Sequence, residues 1–216
     1  MRTKYPRTFH LPWSESRTSD DKTLSENQVD DMFIGREVVV TEKLDGENTT
    51  IYGDGYTHAR SLDSSHHPSR SASKALAATT APNIPEGWRL MGENLYAEHS
   101  ISYDKLSSFF VLFGIADENN NALSWREVEE YGEMLGLTVA PVIYKGIWDE
   151  EAIQGLWPFS SAYGAEAEGY VVRTASGFPM SQFSDYVAKF VRSNHVQTKD
   201  HWMHSTIKAN QIADEE

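Results

Sequence analysis

The sequence predicts an α+β fold in which antiparallel sheets are flanked by helices. Short β-branched and aromatic runs recur along most of the 216 residues, and turn residues separate them. Helix signals fall between these runs without the regular strand–helix alternation of a doubly wound parallel sheet. A hydrophobic content of 39% is sufficient for a folded core, and no apolar run is long enough for a transmembrane helix.

Composition excludes several classes of protein. The chain has no cysteine, which removes disulfides and thiolate zinc sites. A net charge of −13 argues against a strongly basic nucleic-acid-binding protein, yet residues 1–80 carry 10 Lys and Arg against 12 Asp and Glu. This nearly neutral part has room for a cationic groove. The start of the chain lacks the apolar region of a signal peptide, so we expect a cytoplasmic protein.

The first 30 residues are polar and turn-rich, and residues 1–36 are interpreted as an extension that precedes the strands. The predicted strands are residues 37–44, 49–53, 56–60, 88–92, 109–115, 138–144, 169–174 and 186–192. Residues 53–55 (Gly-Asp-Gly) predict a hairpin turn. Residues 61–85 are rich in Ser, Ala, Thr and Pro, which predicts a mobile loop with a short helix at 73–78.

Helix signals are clearest in the second half of the chain. Ser124 and Glu127 form a capping box, which predicts a helix that ends at Gly136. A second short helix should follow Trp148, and a closing helix is predicted over residues 199–212 with Trp202 facing inward.

Lys43 begins the run KLDGEN at the end of a predicted strand. A lysine in this position indicates an amine held in a pocket, where it can act as a nucleophile. A free lysine has a pKa of about 10.4, and lowering it by ~3 units takes roughly 4 kcal/mol from burial or neighbouring cations. Taken alone the pattern is weak, because a lysine at a strand end is more often a surface residue.

Five further segments give this lysine a context. In order, the six segments are KLDG at 43–46 (extended by Glu47 and Asn48), ARS at 59–61, GENL at 92–95, the aromatic run at 109–115, EGYVVR at 168–173 and VAKFVR at 187–192. Together they resemble the motifs of the covalent lysine nucleotidyltransferases, which comprise polynucleotide ligases and RNA capping enzymes. The Glu-Asn extension most resembles the ATP-dependent RNA ligases.

The resemblance implies a domain organisation. Residues 37–195 are expected to form the adenylyltransferase domain, with the ATP-grasp-like fold of ligases. Residues 1–36 are expected to pack on this core through Trp13 and to present Arg7 and Arg17. Residues 196–216 are expected to form a C-terminal helix or tail, and no separate C-terminal domain is expected. Many relatives carry such a domain, so we expect weak RNA binding or a partner protein that presents the substrate.

The residue types suit a nucleotide clamped against a lysine. Phe113 can stack on adenine, which is worth about 1–3 kcal/mol per base, and Glu93 can accept a hydrogen bond from a ribose hydroxyl. Lys189 and Arg192 can neutralise charge that builds up at phosphorus. ATP arrives with Mg²⁺ (or Mn²⁺), which prefers carboxylate oxygen and water, and Glu168 suits this metal.

The resemblance adds further roles. Glu42 is expected to contact the adenine amino group, and Arg60 and Asn48 are expected to handle the incoming strand or its phosphate. The last motif of ligases usually carries two lysines separated by one residue, whereas here only Lys189 is present and Arg192 would have to compensate. The residues expected to be catalytic are Lys43, Glu168 and Lys189.

The implied activity is ATP-dependent RNA ligation in RNA repair. Lys43 would form a covalent lysyl-AMP, the AMP would pass to a 5′-phosphate end of RNA, and a 3′-hydroxyl would then displace it. A small DNA nick ligase, a capping guanylyltransferase and a non-catalytic nucleotide-binding subunit remain alternatives. The histidines at 195, 201 and 204 lack the spacing of a zinc site.

Overall fold

The computed structural model describes residues 2–64, 66–193 and 207–213. These residues contain twelve strands and four α-helices. In chain order the strands are β1 (Phe9–His10), β2 (Glu37–Lys43), β3 (Glu47–Tyr52), β4 (Thr57–Ala59), β5 (Arg89–Asn94), β6 (Phe110–Ala116), β7 (Asn121–Ala122), β8 (Thr138–Val139), β9 (Val142–Ile147), β10 (Gly169–Thr174), β11 (Phe178–Pro179) and β12 (Val187–Val191). The helices are α1 (Glu26–Phe33), α2 (Ser71–Thr80), α3 (Trp125–Met134) and α4 (Glu150–Gln154), and three 3₁₀ turns lie at Pro68–Arg70, Ala81–Asn83 and Met180–Asp185.

The strands form two sheets. The first sheet has the order β1-β12-β10-β2-β9, and the second has the order β11-β7-β6-β5-β3-β4 with β8 added beside β6. Neighbouring strands are antiparallel except for the short pairs β1–β12 and β6–β8. The α+β fold class with antiparallel sheets and flanking helices is therefore confirmed.

Three groups of buried side chains hold the sheets together. The largest packs the second sheet against α3, with Trp125 and Val128 fully buried. Another packs α1 against the first sheet, where Phe33 stacks on Trp148 at 4.8 Å between ring centroids. The third contains residues of both sheets, among them Met91 from β5 and Val187 from β12, so it joins the two halves of the molecule.

Several predicted elements need correction. The predicted strand 138–144 is two strands in different sheets, because Pro141 separates β8 beside β6 from β9 beside β2. Helix α1 was not predicted, although Ser25 caps it and Gln28 completes the capping box. Helix α3 follows the predicted capping box, and Gly136 leaves the helix with φ +66°.

The predicted mobile loop at 61–85 is largely helical. It contains α2 between two 3₁₀ turns, and the small side chains of Ser69, Ser73 and Ala77 are buried against the second sheet. Arg70 makes a buried ion pair with Glu47 of β3 through two hydrogen bonds. The small residues that suggested a loop here belong to a helix, and their small side chains allow it to approach the sheet closely.

The end of the chain also differs from prediction. Residues 194–206, which include Trp202 and the three histidines, lie outside the described residues. Residues 207–213 are extended rather than helical, with bridges from Ala209 to Ala97 and from Ile212 to Leu106. In the part of the chain that the structure describes, every helix is too short or too polar to cross a membrane.

Candidate active site

A cavity of about 410 Å³ lies between the two sheets. Strands β2, β3, β5 and β6 contribute to its wall, as do β10 and β12 and parts of the N-terminal extension. Seven of the nine residues predicted for the site line this one cavity: Glu42, Lys43, Asn48, Arg60, Glu93, Phe113 and Lys189. Strand pairing thus brings together residues that are up to 147 positions apart in sequence.

The strand register explains this convergence. Asn48 lies opposite Glu93 in the β3–β5 pair, and Lys43 lies opposite Gly169 in the β2–β10 pair. Lys189 on β12 lies opposite Val171 on β10. Side chains on one face of a strand alternate with those on the other, so these positions point polar groups into the same cleft.

Lys43 forms an ion pair with Glu168, which directly precedes β10. Lys43 Nζ lies 2.7 Å from Glu168 Oε2, and the lysine side chain is 24% exposed whereas the glutamate is nearly buried. Burial lowers the pKa of Lys43, but the charges of Glu168, Glu93 and Asp45 outweigh it, so the pKa lies above its ordinary value. The expectation of a lowered lysine pKa is therefore wrong for this arrangement of side chains.

The surroundings favour the charged form of Lys43 but the neutral form of Glu93. Its pKa is raised to about 8, mainly by burial and also by the charges of Glu168 and Asp45, whereas Lys43 acts in the other direction. The protonated form of the Glu93 carboxyl group is therefore favoured up to a higher pH than in a free glutamate. In that form it can donate a hydrogen bond as well as accept one.

Lys189 is held by the N-terminal extension. Its Nζ lies 3.9 Å from Asp21 Oδ1, and the buried ring of His10 approaches the same carboxylate at 3.5 Å. Burial and the nearby charge of Lys43 lower the pKa of Lys189 to about 8, although Asp21 and Glu168 act in the other direction. Asp21 was not predicted as a site residue, because no local pattern connects it to a strand 168 positions away.

Three buried polar atoms at the cavity lack a hydrogen-bond partner among the described residues. They are Glu42 Oε1, Asn48 Oδ1 and Arg60 Nε. The other carboxylate oxygen of Glu42 accepts a hydrogen bond from the backbone N–H of Ala162 at 3.0 Å, and burial raises the pKa of Glu42. Buried polar groups normally have partners, so these three atoms are suited to a polar ligand.

The aromatic wall contains Phe113 on β6. Its half-buried ring lines the cavity and meets the ring of Tyr5 edge-on, with 5.3 Å between centroids. Tyr5 also packs against Phe183 at 5.2 Å. Tyr5 was not predicted as a site residue, because its position in a polar segment before the first strand gives no signal of a contact with β6.

Arg173 is a second residue of the cavity wall to which no role was assigned from the sequence. It follows Val171 by two positions on β10 and therefore faces the same cavity. Its guanidinium donates to the carbonyls of Leu123 and Thr174 and lies over the ring of Trp125. Burial lowers the pKa of Arg173 to about 10. The two-residue period of the strand was the signal that could have found it.

Arg192 and Glu168 are not among the residues that line the cavity. Arg192 makes an ion pair with exposed Glu166, and its backbone N–H donates to the carbonyl of Glu168 at 3.0 Å. Arg192 thus contacts the segment that carries Glu168 rather than the cavity itself. Its predicted role at a phosphate stays a prediction.

Within the described ranges, no group of three or more His, Asp or Glu side chains is arranged to hold a metal ion by itself. Magnesium usually takes only one or two protein carboxylates and completes its shell with water and substrate phosphates. The nearly buried carboxylate of Glu168 can supply one ligand of this kind.

Comparisons with known proteins identify the family and the fold of the chain. A family model described as RNA ligase matches residues 36–191. Among solved structures, a variant of the Naegleria gruberi RNA ligase with ATP and Mn superposes with a TM-score of 0.59 at 18% identity, covering 88% of this chain and 60% of that one. The same ligase with PPi gives a TM-score of 0.55 at 19% identity, again covering 88% and 60%.

An apo variant of that ligase gives a TM-score of 0.57 at 17% identity and covers 83% of this chain and 57% of the other. At these identities the superpositions show the fold, and the chain spans about 60% of the length of those structures. No curated protein sequence matches the chain. Because the family model covers well over half of its residues, this chain belongs to the RNA ligase family.

Proposed function

We propose that this chain is an ATP-dependent RNA ligase that joins 5′-phosphate and 3′-hydroxyl ends in RNA repair. The proposed intermediates are a lysyl-AMP on Lys43 and an adenylylated RNA end. The observation that carries the proposal is the cavity itself, which Lys43 lines together with three residues whose buried polar atoms have no hydrogen-bond partner in the described part of the chain. Membership of the RNA ligase family supports it.

The cavity wall matches the parts of a nucleotide. The half-buried ring of Phe113 offers a face on which adenine can stack. Glu42 Oε1 is available to accept a hydrogen bond from the adenine amino group. Asn48 and Glu93, which are neighbours across β3 and β5, can bind ribose hydroxyls or a phosphate oxygen. These contacts would hold the α-phosphate of ATP against Lys43.

Lys43 must lose its proton before its nitrogen can attack phosphorus. In the ion pair with Glu168 the amine stays protonated, because the carboxylate favours the charged form. Mg²⁺ or Mn²⁺ that arrives with ATP would be held by Glu168 and would neutralise phosphate charge there. A cation bound there would weaken the hold of this carboxylate on Lys43, and the positive charge of Lys189 would act in the same direction.

The attack then forms a bond between Lys43 Nζ and the α-phosphorus, and pyrophosphate leaves. Lys189 lines the same cavity and can offset charge on the phosphoryl oxygens. Arg60 is suited to the 5′-phosphate of the RNA end, because its buried Nε lacks a partner among the described residues. The protein mainly positions groups and neutralises charge, as phosphoryl transfer requires.

The first test is covalent labelling. The protein is incubated with α-labelled ATP or GTP and a divalent cation and is then run on a denaturing gel. We expect acid-labile label from ATP that is lost in Lys43→Ala and retained in the surface control Lys145→Ala. If the wild-type protein takes up no label, the proposed enzyme activity is refuted, and a non-catalytic nucleotide-binding subunit remains as the alternative. Preferential labelling by GTP would indicate a capping guanylyltransferase.

The second test concerns the substrate. Sealing is measured on single-stranded RNA, stem-loops with a break in the loop, nicked RNA duplexes and nicked DNA duplexes, all with 5′-phosphate ends. We expect sealing of at least one RNA substrate and none of nicked DNA. Efficient sealing of the DNA nick alone would instead indicate a small DNA ligase. Adding cell extract tests whether a partner protein presents the RNA.

A further inference from the structure

The N-terminal residues 2–10, which we call the strap, run from one sheet to the other across the cavity. At one end Arg2 lies 4.4 Å and 4.3 Å from the ring centroids of Tyr52 and Tyr56, beside the β3–β4 hairpin of the second sheet. The backbone N–H of Thr3 donates to the Tyr52 hydroxyl at 2.9 Å. At the other end β1 pairs with β12 of the first sheet. The strap is therefore anchored at both ends.

The middle of the strap forms part of the cavity wall. Residues 5–8 line the cavity, and the ring of Tyr5 is fixed between Phe113 and Phe183. Pro6 fixes its own φ and restricts the backbone of Tyr5 before it. Arg7 is thus held at the cavity by contacts on both sides of it, although its own side chain is exposed.

Arg7 and Arg60 bring two guanidinium groups to the same cavity. Among the described residues, neither makes an ion pair with a carboxylate within 4 Å, and Arg7 donates to the carbonyl oxygen of Asp20. Arg60 Nε is buried without a partner in the same part of the chain. Both arginines line the cavity, and burial and the charge of Arg7 lower the pKa of Arg60, whereas Tyr5 and Asp21 act in the other direction.

The two lysines of the cavity already have carboxylate partners. Lys43 pairs with Glu168 and Lys189 pairs with Asp21. Among the described residues Arg7 and Arg60 have no such partner within 4 Å, so an anion that binds between them would offset their repulsion. Guanidinium groups suit a phosphate, since their planar fork matches two phosphate oxygens.

We propose that Arg7 of the strap pairs with Arg60 to form a phosphate-binding site at the cavity, and that this site takes a terminal phosphate group. The inference rests on the proposed ligase function for its choice of ligand. Two ligands carry such a group: the 5′-phosphate of an RNA end and the pyrophosphate released from ATP. The extension then contributes directly to substrate binding, in addition to packing on the core.

The test measures binding by the full chain without catalysis. Dissociation constants are determined by calorimetry for three ligands: a 5′-phosphorylated RNA oligonucleotide, the same oligonucleotide with a 5′-hydroxyl, and inorganic pyrophosphate. We expect Arg7→Ala to weaken binding of at least one phosphate ligand about tenfold, since a hydrogen bond to a charged group contributes on that order. Binding of the 5′-hydroxyl RNA should change less than twofold.

The controls separate this effect from loss of structure. Arg17→Ala alters another exposed arginine of the extension that does not line the cavity, and it should bind all three ligands as wild type does. Arg7→Lys keeps the positive charge but lacks the planar guanidinium group, so it should weaken phosphate binding by less than Arg7→Ala does. Loss confined to the phosphorylated RNA assigns the site to the RNA end, and loss confined to pyrophosphate assigns it to the leaving group.

The proposal is overturned if Arg7→Ala binds both phosphate ligands as tightly as wild type does, or if wild type binds neither. It can also be distinguished from failure of the proposed function. If wild type forms no lysyl-AMP but binds phosphate in an Arg7-dependent way, the phosphate site is supported and the ligase function is refuted. If Lys43 is labelled but phosphate binding does not depend on Arg7, the ligase function is supported and the phosphate site is refuted.

Discussion

At the scale of single residues, the ion pair between Lys43 and Glu168 decides the chemistry of the cavity. A nucleophilic lysine needs a free amine, yet Glu168 at 2.7 Å holds the proton on Nζ. In the proposed function the same carboxylate would hold a divalent cation. Activation of the lysine would then depend on what binds Glu168.

Replacing Glu168 tests this link. We expect Glu168→Gln to lower the pKa of Lys43, because the nearest negative charge is removed while burial remains. The extent to which an amine-reactive reagent modifies Lys43 can be measured by mass spectrometry over a range of pH. The pH at which Lys43 becomes reactive should be lower in the variant than in wild type. Lysyl-AMP formation should nevertheless fall by at least about 100-fold, since ~3 kcal/mol or more of charge stabilisation is lost. Glu166→Gln, which alters the exposed neighbour, should leave the pH profile of Lys43 unchanged.

Asp21 offers a second residue-scale test, because it balances the charge of Lys189. Removing it in Asp21→Asn should lower the pKa of Lys189 below its value of about 8, so less of the lysine is charged at pH 7–8. The rate of lysyl-AMP formation should then decline at a lower pH than in wild type. Asp21→Glu should restore most of the profile, and Asp30→Asn on the exposed face of α1 should not change it. An identical profile in Asp21→Asn would show that Asp21 is only a packing residue.

Glu93 connects the site to stability. Its carboxyl binds a proton up to about pH 8 in the folded protein but only to about pH 4.3 when unfolded. The folded state therefore binds more protons between these values, and this group makes stability fall as pH rises from about 5 to 8. Glu93→Gln should flatten that decline in Tm, where 1 kcal/mol corresponds to about 2–4 °C for a domain of this size. Exposed Glu86→Gln should leave the slope of Tm against pH as it is in wild type.

At the scale of elements, the strands that carry the motifs were predictable and their partners were not. β10 was predicted with its observed bounds, because GYVVRT is a short β-branched and aromatic run that begins at a glycine and is followed by a turn. Helix α2 was mistaken for a mobile loop, since burial of Ser73 and Ala77 depends on a sheet that local composition does not reveal. The contact of Asp21 with Lys189 joins β12 to an irregular segment, and no periodicity encodes such a pair.

The turn after β2 has a steric requirement that can be tested at this scale. A Cβ on Gly46 would lie 2.5 Å from the carbonyl oxygen of Asn94 and 2.8 Å from a methyl carbon of Leu95. Gly46→Ala must therefore displace the turn next to Lys43, and we expect a loss of about 1–3 kcal/mol in the free energy of unfolding. Denaturant titration and lysyl-AMP labelling should both decline. Gly155→Ala at the end of α4, where φ is −68°, should change neither by much.

At the scale of the whole molecule, two sheets enclose the cavity and the strap joins their edges. The third group of buried side chains connects the sheets at the cavity, and Trp13 fixes the extension to the first sheet, since its Nε1–H donates to the Tyr170 hydroxyl at 2.8 Å. The predicted residues that line the cavity come from six separate segments, and residues 5–8 of the strap line it as well, so the cavity exists only when both sheets and the extension are assembled. Ligand binding should therefore stabilise the strap as well as the motif strands.

Amide hydrogen exchange tests this coupling between cavity and strap. We expect ATP with a divalent cation to slow exchange in peptides that cover residues 2–10, because residues 5–8 form part of the cavity wall. Peptides that cover α4, which contributes no lining residue, should exchange at an unchanged rate. In Tyr5→Ala the protection of the strap should diminish while that of β2 persists, since the ring contacts to Phe113 and Phe183 are lost. Protection of β2 without any protection of the strap in wild type would show that the extension folds independently of nucleotide binding.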